Sequence, residues 1–449
     1  MLNDMKVRLM VVVLLGLLQS ACTKVPAGRL SEKTFEVALF EGAFSLYWYR
    51  QMASQYEALH PELHIRMWGS PRVSDKVRPR ILRRDPPEIV LADLPVWLLI
   101  KGKRLQPLNR WLDRPAYGDT TGRWRDTFLP GVLDVLTHRG DVYGVPVYFG
   151  GYVVFYNRGM FRQHGWEVPK TWEELEMLCK NIKAAGIAPF AFHGKYPVYA
   201  QAIYFSLLQR IGGLEAVQAI DDLTPHCFQS TANVETARLL QHIAQDYFQP
   251  GCMAMNHIEA QSQFIFSKTA MVACGLWLRK EMEDKIPADF ELSCFDWPTI
   301  NKDIPYCWHG GGGAFLMSFV DAPERAAAVE FMRYMTAKEN MRVWVTTNAA
   351  LSPIKNVADG LPMPLDLAAA LEYIQKATVI FSSQLPSRYP ELQQAHIEAI
   401  RQLITAEITP EAFCAQMEAK ADVVRHNPRR DVFPPSTLPE AYVRARKVQ

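Results

Sequence analysis

The sequence predicts an α/β protein of more than one lobe, on three observations. Its 449 residues are 49% apolar and 21% charged, a globular balance long enough for two or three cores at about 150 residues each. Near the start, Phe35–Leu39 alternates with period two, Phe44, Trp48, Met52, Tyr56 and Leu59 recur at helical spacing, and Leu63, Ile65 and Met67 alternate again. That is the strand–helix–strand unit that seeds a parallel sheet. The same switching of periods continues to about Ser318.

Taken in order, the chain opens with Lys6 and Arg8, the apolar run Leu9–Leu18, and Ser20-Ala21-Cys22. A basic start, a short apolar stretch and small residues make a secretory signal over 1–21. The run is too short to span a bilayer, which takes about 20 apolar residues. Ser20-Ala21-Cys22 resembles a bacterial lipobox, with Cys22 lipidated and tethered outside the membrane, although Gln19 departs from the usual Leu, Val or Ile. Cleavage after Ala27 is the alternative. The two or three acyl chains of a lipoprotein hold stably where one would not.

Pro61 stops the first helix, and Pro87–Asp93 reads as a short apolar strand ending in a carboxylate. Ligands of open α/β sheets bind beyond the carboxyl ends of strands, which marks Asp93, and Glu41 and Phe44 after the first strand. Val142–Tyr156 reads as two extended pieces joined at Gly150-Gly151. Thr171 and Glu174 form a capping box for a helix ending near Gly186. Beyond Ser318 the chain reads as almost wholly helical to about Arg425, and 427–449, with four prolines, reads as a loosely ordered tail.

Lys+Arg 49 against Asp+Glu 47 gives +2, without the basic excess of a nucleic-acid binder. HExxH, CxxC, GxGxxG, the phosphate-cradling GxxxxGK[ST] and the GxSxG elbow are all missing, which lowers the expectation of catalysis, of a metal and of a cofactor. Carboxylates are plentiful, so a hydrolase pair, which needs only two of them about 5–9.5 Å apart, stays open as an alternative. Seven cysteines remain besides Cys22. An odd number cannot all pair, and buried free thiols are the plainer reading, with a bridge among Cys227, Cys252 and Cys307 as the alternative.

Three segments together resemble the extracytoplasmic solute-binding proteins of ABC importers, the family that includes sugar- and maltodextrin-binding proteins. The first is Tyr143-Gly144-Val145-Pro146, then Tyr156-Asn157-Arg158 with Phe161, then Pro169-Lys170-Thr171-Trp172-Glu173-Glu174-Leu175. The second is Phe264–Trp277 (FIFSKTAMVACGLW), with Ser267 or Lys268 where glycine is usual. The third runs from Gly310 through PERAAAVEFMRYMTAKE to Leu351-Ser352-Pro353. The resemblance implies the periplasmic-binding-protein fold, two discontinuous lobes of about 34–147 with 309–350 and 148–308 with 351–426, hinged around a ligand cleft.

By the same resemblance, the chain would be a monomeric, non-enzymatic binding protein that delivers a carbohydrate to membrane permease subunits. A partner that is a sensor instead is not distinguished by sequence. Trp277 occupies the motif position of a sugar platform, with core packing as its rival. Tyr148 and Phe149 fall at the first crossing, and Trp308 and His309 near the second. His193 and Tyr196 follow the apolar strand APFAF. Gly150 stands where some maltodextrin binders carry a cleft carboxylate, which argues against maltose in particular. Sugars offer apolar C–H faces and hydroxyl rings, so aromatic platforms with a few directed polar groups are the chemistry that fits.

Overall fold

Opposite faces of the first strand enter different cores. Phe35, Val37 and Leu39 join one hydrophobic cluster and Ala38 another, so this strand is covered on both sides, as a parallel sheet requires. The computed structural model describes residues 33–119, 121–148, 150–310, 314–427, 433 and 436–448. The signal segment, Cys22 and Phe149 lie outside them. Lys33–Phe40 pairs in parallel with Leu63–Ser70 and with Ile89–Leu91. The connecting helix Tyr47–Leu59 buries Trp48, Tyr49, Met52 and Tyr56.

One buried charge is built into this sheet. Glu36 accepts hydrogen bonds from Arg80 (2.7 and 3.0 Å), Trp68 (2.7 Å) and Arg66 (2.9 Å). Burial alone would raise its pKa, but these donors hold it down to about 2.

A second sheet is centred on Tyr152–Asn157 and Thr269–Gly275, which run antiparallel, with Leu292–Phe295 and Ala188–Ala191 at the edges. The helix Trp172–Ala184 starts at the Thr171–Glu174 capping box. Between the two sheets run the crossing strands. Val145–Tyr148 pairs antiparallel with Ala314–Leu316, and Cys307–His309 pairs in parallel with Val379–Phe381. The helices Arg325–Met335 and Lys338–Asn348 return to the first sheet. Leu365–Lys376, Pro390–Ile404 and Pro410–Arg425 pack on the second sheet and its helices. The two-lobed α/β expectation holds.

Two local expectations are corrected. The stretch after Ser318 contains the strand Val379–Phe381, whose three residues are too few for periodicity to distinguish from a helix. The tail carries a helix, Glu440–Val448, with Tyr442 fully buried. The Tyr442 hydroxyl donates to Glu215 (2.6 Å) and accepts from the Leu214 N–H (3.1 Å). It fits because Gly213 breaks the helix Val198–Asp221 at φ 73°, and a Cβ there would stand 2.3 Å from that hydroxyl.

Among the described residues no helix is long and apolar enough to cross a membrane. Cys179, Cys227, Cys252, Cys274, Cys294, Cys307 and Cys414 are all free and buried. Burial pushes the Cys227 and Cys307 thiols up to about 12.

Candidate functional site: an aromatic cleft at the crossing strands

On the first lobe, the turn after Lys33–Phe40 presents Phe44. Its ring packs edge-on against Tyr148 (4.9 Å) and Trp344 (5.3 Å), and Tyr148 stacks on Trp344 at 6.0 Å. Burial, followed by the charge of Glu281, pushes the Tyr148 hydroxyl up to about 12.

The second wall starts where Thr269–Gly275 ends. Trp277 folds back over Gly275, where a Cβ would lie 2.2 Å from the indole, so the tryptophan's placement depends on that glycine. The indole is half-buried and meets Tyr152 edge-on at 5.4 Å and Tyr199 at 6.5 Å. Glu281 follows one helical turn later and accepts a 2.7 Å hydrogen bond from Gln261. Behind Tyr199, His193 stacks at 3.9 Å and is fully buried. Desolvation, then the nearby His257, brings its pKa down to about 3.

Of the residues marked from sequence, Phe44, Tyr148 and Trp277 come together here, and His193 and His309 stand one layer behind. His309 is buried, bonded to the Ser206 hydroxyl at 2.8 Å, and its ring lies 5.4 Å from Tyr152.

The others do not join. Trp308 is fully buried, its ring held so close to Gly151 that a Cβ there would be 2.3 Å away; it packs the crossing instead of lining a cleft. Asp93 is exposed and holds Arg78 through its carbonyl (3.2 Å). Glu41 is tied to Ser70 by its backbone N–H (3.3 Å), and among the described residues no hydrogen bond or ion pair links its carboxylate to the aromatic group. Tyr196 is 44% exposed and pairs with His257 at 5.5 Å.

Sequence reasoning missed Tyr152, Tyr199, Trp344 and Glu281. Glu281 stands four residues after Trp277, a spacing that places both on one helical face and could have found it. Trp344 offered no such signal, because its helix buries it as any core tryptophan. Among the described residues no three His, Cys, Asp or Glu side chains are grouped as a metal would need. The site's means are aromatic faces from both lobes, one carboxylate and hydrogen-bonding hydroxyls.

Two α/β lobes joined by crossing strands make the architecture of a solute-binding protein. The sequence agrees: residues 45–342 match the family model described as bacterial extracellular solute-binding protein, and the chain belongs to that family. It is 22% identical over 348 residues to the diacetylchitobiose binding protein NgcE of Streptomyces coelicolor, covering 75% of this chain and 73% of the relative. It is also 22% identical over 377 residues to the multiple sugar-binding protein of Streptococcus mutans, covering 82% and 86%. The solved structure of a chitin oligosaccharide binding protein superposes with a TM-score of 0.73 at 21% identity, over 87% of this chain and 98% of the other.

Proposed function

We propose that this chain captures a carbohydrate between its lobes and presents it to the permease of an ABC importer. The observation that carries the reading is the aromatic group at the crossing strands, Phe44 from the first lobe with Tyr148, Tyr152, Tyr199 and Trp277 from the second, beside the carboxylate Glu281. Stacking faces with few charges suit a neutral, hydroxyl-rich ligand better than a polyamine, which would call for several carboxylates. The sugar-binding relatives support the same class. The lobes are taken as 34–147 with 309–350 and 148–308 with 351–426, acting as a monomer without catalysis or cofactor.

A thermal-shift screen over mono- and oligosaccharides, with diacetylchitobiose and raffinose among them, tests the reading. A ligand at a thousand times its Kd stabilises by about 4 kcal/mol. Trp277→Ala should weaken the sugar so found by roughly ten- to a hundredfold, about 1.4–2.7 kcal/mol. Its apo stability should fall by less than the 3–5 kcal/mol typical of a truncated core tryptophan. Shifts confined to amines or metals would overturn the ligand class. Unchanged affinity with a large stability loss would reduce Trp277 to core packing.

We further propose that Cys22 carries a lipid anchor that keeps the protein at the outer side of the cell membrane. Cys22→Ala should release it from the membrane fraction with ligand affinity unchanged, and an unmodified mature N-terminus at Gly28 in mass spectrometry would refute the anchor.

A further inference from the structure

Behind the crossing strands lies a second space shared by both lobes. This groove of about 600 Å³ is lined by Trp97, Asp134 and His138 from the first lobe and by Phe381, Gln384 and Arg388 from the second, with the C-terminal residues 436–439 along its edge. His309 divides it from the aromatic cleft: Tyr152 lies 5.4 Å from its ring on the cleft side, and Phe381 stacks on it at 4.8 Å on the groove side. The crossing strands therefore separate a front cleft from a rear groove.

Trp97 supplies an inter-lobe contact across the rear groove. Trp97, on the first-lobe helix Val96–Lys101, donates its indole N–H to the Ser387 hydroxyl (2.7 Å) and reaches Gln384 (3.3 Å) on the second lobe. The Arg388 guanidinium lies over the same indole at 5.1 Å.

Arg388 is in turn fixed by the C-terminal segment. It bonds Asp222 (2.7 Å) and the Ser436 hydroxyl (2.9 Å), while Asp222 also receives the Ser436 N–H (2.8 Å) and hydroxyl (2.7 Å). Phe433 closes over Trp97 at 5.6 Å and packs against Tyr389 at 5.7 Å. Tyr442 pins the segment to the kink at Gly213.

We propose that the C-terminal segment is a brace for the hinge, holding the second lobe's Leu385–Arg388 turn against Trp97 so that closing the front cleft has to break this rear clasp. Two lobes turning about strands that lie between front and rear cannot close both sides at once. The hydrogen bonds and ring packing at Trp97 therefore stabilise the front-open form, and a ligand must outweigh them to shift the population. The segment thereby sets apparent affinity from a place the ligand never touches. This inference rests on the two-lobed fold and not on the identity of the ligand.

The test uses the full chain without ligand. Spin labels at Tyr47→Cys and Lys195→Cys, exposed positions flanking the front cleft on opposite lobes, report the inter-lobe distance by double electron–electron resonance; the native thiols of the described residues are buried. Phe433→Ala and Ser387→Ala each remove one partner of Trp97 and touch neither wall of the cleft. Each should raise the short-distance, closed population roughly three- to tenfold, the weight of one aromatic pair or one hydrogen bond. Distributions that superimpose on the parent's or move to longer distances, in proteins that still melt cooperatively, would overturn the brace. Failure of the sugar screen would leave these distances unaffected, so the two proposals fail separately.

Discussion

Replacing Arg210 by methionine should lower the unfolding free energy by about 3–5 kcal/mol, the usual effect of leaving one member of a buried ion pair alone. Arg210 and Asp296 have side chains only 6% and 1% exposed and meet at 2.8 Å. The same guanidinium donates to the carbonyls of Trp297 (3.1 Å) and Cys307 (2.9 Å) and to Gln209, and lies over the Tyr306 ring at 4.6 Å. It thus ties the exit of Leu292–Phe295 to the entry of the crossing strand Cys307–His309. Asp296 keeps bonds from Tyr306 (2.7 Å) and the Trp297 N–H (2.7 Å), but burial already raises its pKa, and Arg210 is the charge that opposes this. Adding Asp296→Asn to Arg210→Met should restore part of the loss. Denaturant melts of the single and double variants decide it; a single variant within about 1 kcal/mol of the parent would mean that the pair is solvated.

Acid should weaken the protein well above the pH at which carboxylates ordinarily titrate. Burial lowers the pKa values of His193, His309 and His396 to about 3 each. An unfolded histidine binds a proton near pH 6.5, so between about pH 6.5 and 3 the unfolded chain takes up three protons that the folded chain refuses, and stability falls as pH falls. Asp221 acts in the opposite sense. Burial raises it to about 6, only partly countered by Ser383 and Arg388, so its cost at neutral pH is relieved on acidification. Asp134, Asp296 and Asp366, also raised, oppose in the same direction. The net slope is roughly 1–3 kcal/mol per pH unit around pH 5–6. Glu36, lowered from 4.5 to about 2, adds a further loss between those two values, where the unfolded chain takes up a proton that the folded carboxylate still refuses. Urea midpoints at pH 7, 6 and 5 should drop steadily, and a flat series would show that the buried histidines accept charge in place.

The fold was legible because its elements repeat strong local patterns. Phe35–Leu39 alternates and the following helix keeps its apolar stripe, and the Thr171–Glu174 box starts its helix as read. The site was legible only where a motif fixed a residue to a turn, as for Trp277 after Gly275, or where a strand end delivered one, as for Phe44. Asp93 and Glu41 also stand at strand ends yet lie outside the aromatic group, because strand position fixes a residue's height in the sheet but not where its side chain turns. Trp308 and Trp344 show the converse ambiguity. Both are wholly buried aromatics, but only Trp344 backs a cleft wall, and it reaches Tyr148 across nearly two hundred residues of chain that no local pattern can bridge.

The seven buried thiols have a consequence for the protein's chemistry outside the cell. Disulfide exchange proceeds through the thiolate. At neutral pH a thiol of pKa about 12, such as Cys227 or Cys307, is ionised in roughly one molecule in 10⁵, against about one in thirty for an ordinary cysteine. None of the seven is bridged in the folded state, so the native protein is electrochemically silent in an oxidising surrounding, while the unfolded chain presents all seven to any oxidant. Survival there becomes a race between burial and oxidation, and a chain that loses it carries crosslinks that the finished fold has no place for.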